Sequence, residues 1–143
     1  MATIYGDIQG IKWLREAVAE PGFAVAEVSF LMGAYTASSD NGQLGGTGTK
    51  RNGVAVATGT TFEQILAQDR RDGKTVTLSA ISTGLALTAE PGKQSSTKFY
   101  ISTPVVSSNN MTFNVADASG SEIDAASGVQ DRPIVILVRV ALS

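Results

Sequence analysis

From residue 74 onward the sequence alternates apolar and polar side chains in short runs divided by turn residues. No other feature constrains the fold as strongly. Successive side chains on a β-strand point to opposite faces, so such alternation marks a strand with one face buried. KTVTLSAI (74–81) sets Val76, Leu78 and Ala80 against Thr75, Thr77 and Ser79. GLALTA (84–89) puts Leu85 and Leu87 on one face, and KFYIST (98–103) turns Phe99 and Ile101 inward and Tyr100 outward. MTFNVA (111–116) aligns Met111, Phe113 and Val115. PIVILVRVAL (133–142) is apolar on both faces from Ile134 to Val138, which predicts a strand at the centre of a sheet or at a subunit interface.

The first half is more mixed. DIQGIKWLREAVAE (7–20) has helical periodicity, with Ile8, Ile11, Leu14 and Val18 within about 120° of one another at about 100° per residue. Asp7 suits its N-cap and Pro21-Gly22 its end. Trp13 then lies opposite the apolar stripe, either covered by another part of the chain or offered to a partner. FAVAEVSFLM (23–32) reads as a strand. TASSDNGQLGGTGTKRNG (36–53) reads as a long Gly-rich loop, of the length that is functional or disordered in most domains. GVAVAT (53–58) reads as a strand. TTFEQILAQDRRDG (60–73) reads as a short helix, with a capping box from Thr60 to Glu63, an inner face of Phe62, Ile65 and Leu66, and a stop at Asp72-Gly73. DASGSEIDAASGVQD (117–131) reads as an exposed loop. The expectation is one mainly β domain over residues 1–143. It would be a β-sandwich or jelly roll of about eight strands, with an N-terminal arm and helix (1–22) and a short internal helix.

Composition narrows the chemistry. A chain of 143 residues buries enough surface to fold without a metal or disulfide. It has no Cys and no His. That removes thiolate nucleophiles, Ser-His-Asp triads and the commonest transition-metal ligand. Net charge is −2, from 11 basic and 13 acidic residues, which argues against tracking a nucleic-acid backbone. No run approaches the about 18 apolar residues of a membrane span. MATIYGDIQGIKW lacks the basic and apolar regions of a signal peptide, so the chain is expected to be made in a cytoplasm.

The motifs tested fail on spacing. Gly48-Thr49-Lys50 breaks the order of a Walker loop, and Gly46-x-Gly48 meets Arg51 where a dinucleotide fingerprint needs Gly. Ser95-Ser96-Thr97-Lys98 spells the serine–lysine acyl-transfer motif but precedes a strand and lacks its companion motifs. An EF-hand reading of the loop from Asp117 meets Glu122 and Gly128 in exchanged places; a looser calcium site of Asp117, Glu122 and Asp124 stays open beside the reading of solvated loop carboxylates. Glu16 and Glu20 could pair as in a glycosidase, yet they sit with Lys12 and Arg15 as an ordinary charged helix face would. Asn110-Met111-Thr112 is a glycosylation sequon in spelling only. Two basic clusters, Lys50-Arg51 and Arg70-Arg71 with Lys74, read either as solvated charge or as a dock for an acidic partner surface.

A short β chain without Cys or His, rich in Ser, Thr, Gly and Ala, with an N-terminal segment and a long glycine loop, resembles the capsid cement (decoration) proteins of tailed bacteriophages. It looks most like the small jelly-roll cement proteins of short-tailed phages such as the Bordetella phages. The resemblance implies a homo-oligomer, with a dimer favoured over a trimer. It would be made in the bacterial host, sit on the capsid exterior and clamp adjacent major capsid subunits after the shell expands. It implies no catalytic residue, cofactor, metal, nucleic acid or membrane. The contacts expected under it are Met1–Gly6, Trp13, the loop residues Gly42, Leu44, Lys50 and Arg51, and Arg70 and Arg71. Ile134, Ile136 and Val138 would form the core or the self-interface. Deleting residues 41–48 would then leave folding intact and weaken shell binding. Other readings are a tail, neck or fibre-base module, a carbohydrate-binding β-sandwich displaying Trp13, Tyr35 and Tyr100, and a small carboxylate hydrolase.

Overall fold

A computed structural model describes residues 3–14, 22–32, 41–81, 86–87, 99–117 and 134–143. Among the described residues, ten strands and one helix follow in chain order: β1 (Thr3–Trp13), β2 (Phe23–Met32), β3 (Asn41–Leu44), β4 (Lys50–Arg51), β5 (Val54–Ala55), α1 (Phe62–Arg70), β6 (Val76–Ile81), β7 (Ala86–Leu87), β8 (Phe99–Ser107), β9 (Asn110–Asp117) and β10 (Ile134–Leu142). The sheet runs β6-β10-β2-β1-β3-β9-β8-β7, with the β4–β5 hairpin attached to β1. Its two ends approach each other, β6 beside β8 and β7 beside β10, so the sheet nearly closes like a barrel. The fold is thus mainly β and in keeping with the predicted sandwich or jelly-roll class.

β1 is the hinge of the architecture. On one edge it pairs in parallel first with β3 (Thr3 to Tyr5) and then with β4 (Asp7 and Ile8); on the other it pairs antiparallel with β2 from Gly6 to Trp13. The predicted helix over 7–20 is therefore a strand up to Trp13, and residues 15–20, with Arg15, Glu16 and Glu20, lie outside the described residues. A bulge between Ile8 and Gly10 explains the misreading. One extra residue in a strand reverses the alternation beyond it. Ile4, Gly6 and Ile8 face inward before the bulge, and Ile11 and Trp13 pack on the core after it. Ile8 and Ile11 are thereby three apart on one face, the spacing of a helix. Nor is Thr3–Gly6 a free arm, since Gly6 is buried within the sheet.

The core lies between the sheet's inner face and α1. Ile8, Ala26, Val28, Phe30, Leu44, Met111, Ile134, Ile136 and Val138 have no exposed area, and Phe30 and Phe113 meet with ring centroids 5.7 Å apart across the interior. β6 keeps its predicted alternation, with Val76 and Leu78 in and Thr77 and Ser79 out. β10 sits between β2 and β6 but is fully buried on one face only, because Leu137 on the other is 39% exposed. Ile134, Ile136 and Val138 belong to this chain's own core, so a self-interface cannot use them.

α1 packs Phe62, Ile65 and Leu66 into the core beside β6 and β9. Its capping box is Thr61 with Gln64, one residue beyond the predicted pair: Gln64 N donates to Thr61 Oγ1 (3.1 Å) and Thr61 N to Gln64 Oε1 (2.9 Å). The sequence spells T-x-x-E/Q in both registers, and burial of Phe62 selects the second. Glu63 is freed to accept from Leu78 N at 2.8 Å, tying α1 to β6. The helix ends on Arg71 in the left-handed region, ahead of the predicted stop.

The predicted long loop is mostly structure. β3 is hydrogen-bonded to β1 on one side and β9 on the other, with Leu44 fully buried. Beyond it Gly45 N donates to buried Thr49 Oγ1 (2.9 Å), Gly46 N to Thr60 O (2.8 Å) and Val56 N to Thr49 O (3.0 Å). Asn110 Oδ1 accepts from Phe62 N (3.0 Å), locking this knot to the β8–β9 turn. The glycines give room for neighbours: a Cβ at Gly42 would strike the Phe113 ring, and one at Gly48 the Tyr5 ring. Residues 41–48 cannot be removed as a spacer.

The β8–β9 turn places Ser108 and Asn109 at φ 52° and 67°. This is the type I′ pattern, in which Asn-Gly is preferred because L side chains strain there. Asn109→Gly is expected to stabilise the chain by about 0.5–1 kcal/mol, raising the calorimetric midpoint by roughly 2–4 °C. A lowered midpoint would show that the Asn109 side chain outweighs the turn strain.

Candidate functional site

The predicted contact residues fall into two groups. Gly42 and Leu44 are buried in β3 and present no surface, because the strand they occupy is sandwiched in the sheet. Trp13, Arg51, Arg70 and Arg71 come together where β1, β4 and the last turn of α1 meet, and Lys50 lies exposed beside Arg51.

Asp69, which the sequence reading passed over, organises that meeting point. Its Oδ2 accepts from Trp13 Nε1 (2.8 Å) and its Oδ1 from Arg51 Nη2 (3.0 Å), across 56 and 18 residues of chain. The Arg51 and Asp69 side chains are only 30% and 23% exposed, so this pair is better shielded than an open surface bridge. Arg70 lays its guanidinium over the Trp13 ring, 4.5 Å from the centroid, a favourable cation–π geometry. Trp13 is thus covered by the chain's own helix, although from a strand and not from the predicted helix face.

Arg70 Nε also donates to Asp72 Oδ2 (2.9 Å), and Lys74 N donates to Asp72 Oδ1 (3.0 Å). The Lys74 backbone N–H, seconded by Arg70, holds the Asp72 carboxyl below its ordinary value. A carboxyl depressed on folding stays ionised through the ordinary carboxylate range, and this staple loosens only as pH falls through the lowered value. Arg51 and Arg70 are therefore held in place, while Arg71 and Lys50 are exposed with no carboxylate in ion-pair range among the described residues.

Two open clefts flank Asp69. One of about 330 Å³ is lined by Trp13, Leu14, Asp69 and Arg70. The other, about 320 Å³, runs between the β4–β5 hairpin and α1 and is lined by Arg51, Asn52, Val56, Ile65, Gln68, Asp69 and Arg71. They offer guanidinium, amide and carboxylate groups suited to hydrogen bonding and charge pairing. Among the described residues no three carboxylates gather as a metal site would need, and no helix is long and apolar enough to cross a membrane. The candidate calcium side chains, the Ser95–Lys98 motif, Tyr35 and the Tyr100 side chain lie outside the described residues.

Asp69 carried a faint sequence signal, as an acid facing Arg51 and Trp13 only once three distant segments meet. The β4–β5 hairpin carried a strong one: Asn52-Gly53 is the preferred type I′ pair, and both have positive φ (51° and 80°). No protein-family model, curated protein or solved structure matches the chain.

Proposed function

We propose that the chain is a structural virion protein, a capsid cement that binds the outside of a phage shell and clamps neighbouring major capsid subunits. The observation that carries this reading is the surface around Asp69. There Trp13 and Arg51 are locked by one carboxylate, Arg70 is stacked on the indole, and Arg71 and Lys50 are displayed beside them. A rigid β body that holds cations at fixed positions suits repeated docking on an acidic protein lattice. Contacts too weak singly to hold a monomer sum over many copies if the protein is oligomeric. The Cys- and His-free composition and the sequence resemblance point the same way. The sugar-binding alternative loses its best platform, because the Trp13 face it would need is taken by Arg70.

The test is co-sedimentation with unexpanded and expanded shells built from the major capsid protein encoded in the same genome. The chain is expected to pellet with expanded shells, and to be released as about 1 M salt shortens the screening length to about 3 Å. Pelleting with neither kind of shell would overturn the reading.

A further inference from the structure

We propose that the β4–β5 hairpin is a preformed docking tooth for an acidic-rimmed protein surface, with Val54 as its apolar tip and Arg71 and Lys50 as its charges. Val54 is 69% exposed, more than the other large apolar side chains of the described residues. Exposed valines are common, and the exposure alone says nothing. What distinguishes this one is how firmly its backbone is held. Asn52 N donates to Ile8 O (2.9 Å), Gly53 N to Asp7 Oδ1 (3.0 Å) and Val56 N to Thr49 O (3.0 Å). Arg51, directly opposite Val54 in the hairpin, is pinned to Asp69 on α1. Each of these bonds fixes the hairpin and none buries Val54. A tip already held in one conformation loses little entropy on binding, so its apolar contact is available as affinity.

The occupant follows from charge. Asp7, Asp69 and Asp72 are all engaged, by Gly53 N, by Trp13 with Arg51, and by Arg70 with Lys74 N. Among the described residues, Arg71 and Lys50 are the cations of this patch with no carboxylate in ion-pair range. Lys50, Arg51, Arg70 and Arg71 outnumber Asp7, Asp69 and Asp72 by one, so the net charge of this patch is positive, on a chain whose net charge is −2. The cleft between the hairpin and α1, with Asn52, Gln68 and Arg71 in its walls, has room for a carboxylate side chain of the partner. A nucleic acid fits poorly, because a few cations on a chain of net charge −2 are too few to track a continuous phosphate backbone. The proposal rests on the reading above that the partner is a protein, and names the chemistry of the partner's surface.

The experiment has two arms. In the first, the ¹⁵N-labelled full chain is titrated with an acetylated Glu-Leu-Glu-Glu-Leu-Glu peptide, with the Lys-for-Glu peptide and a short DNA duplex in parallel. The acidic peptide is expected to shift the amides of Asn52, Gly53, Val54 and Arg71. Val54→Ala should weaken binding about tenfold, from the loss of two methyl groups. Lys50→Glu with Arg71→Glu should abolish it, with the rest of the spectrum unchanged. Unaltered binding by that double variant, shifts confined elsewhere, or tighter binding of the duplex at these amides would overturn the proposal. In the second arm the same variants are pelleted with expanded shells. Wild type and variants sedimenting alike would remove the tooth and leave the cement role standing. Wild type failing to sediment while the peptide still shifts Val54 would leave the tooth and remove the cement role.

Discussion

A chain lacking residues 41–48 is expected to show no cooperative thermal transition and a collapsed amide spectrum. The deletion takes out β3, whose backbone bonds join β1 to β9, and with it Leu44, which has no exposed area. Without β3, two strand edges that were paired lose their partners and the core opens at Phe113. A milder variant isolates the knot beyond β3. Gly45 has φ +100°, and a Cβ there would strike Asn110 Oδ1 and approach Phe62 N to 2.5 Å. Gly45→Ala adds about 1–2 kcal/mol of backbone strain and about 1–3 kcal/mol from breaking the Asn110 to Phe62 bond, a loss of roughly 3 kcal/mol together. Urea unfolding followed by circular dichroism reads both variants. A deletion that melts cooperatively near the wild-type midpoint would return this segment to the status of a spacer.

Asp69→Ala is expected to cost about 2–3 kcal/mol, because it removes two charge-assisted hydrogen bonds and leaves the half-buried Arg51 guanidinium uncompensated. The midpoint should fall by roughly 10 °C, at about 4 °C per kcal/mol for a chain of this size. Trp13 fluorescence should change together with stability, since the indole loses its N–H acceptor. Asp69→Asn should fall between, as a neutral amide oxygen can still accept from Trp13 or from Arg51. In a double-mutant cycle with Arg51→Ala, a coupling of about 0.5–3 kcal/mol is expected. Zero coupling would show that the pair is a passive neighbour contact, and a wild-type melt for Asp69→Ala would remove its organising role altogether.

Both outcomes bear on what could be read in advance. Leu78 and Val76, Phe113 and Met111, and the β10 core residues obey a local rule, period two, and their strands and inward faces were legible. α1 was legible to within one residue, because caps and apolar spacing are also local. Trp13 and the arginines were recognisable as unusual, but their partner was not. Asp69 acts on residues 56 and 18 positions away, and only the tertiary pairing makes it more than a helix-surface acid.

By itself, then, the sequence determined a mainly β protein with a short internal helix and a chemistry without His or Cys, because alternation, capping and composition act within a few residues. The tertiary structure decided the rest. A bulge after Ile8 converts an apparent helix into the strand on which the sheet turns, by giving strand residues a spacing of three. Gly42 and Gly48 serve as close-packing surfaces instead of flexible links, because the rings of Phe113 and Tyr5 occupy the space their side chains would take. That depends on which distant residue arrives opposite, and no local pattern encodes it.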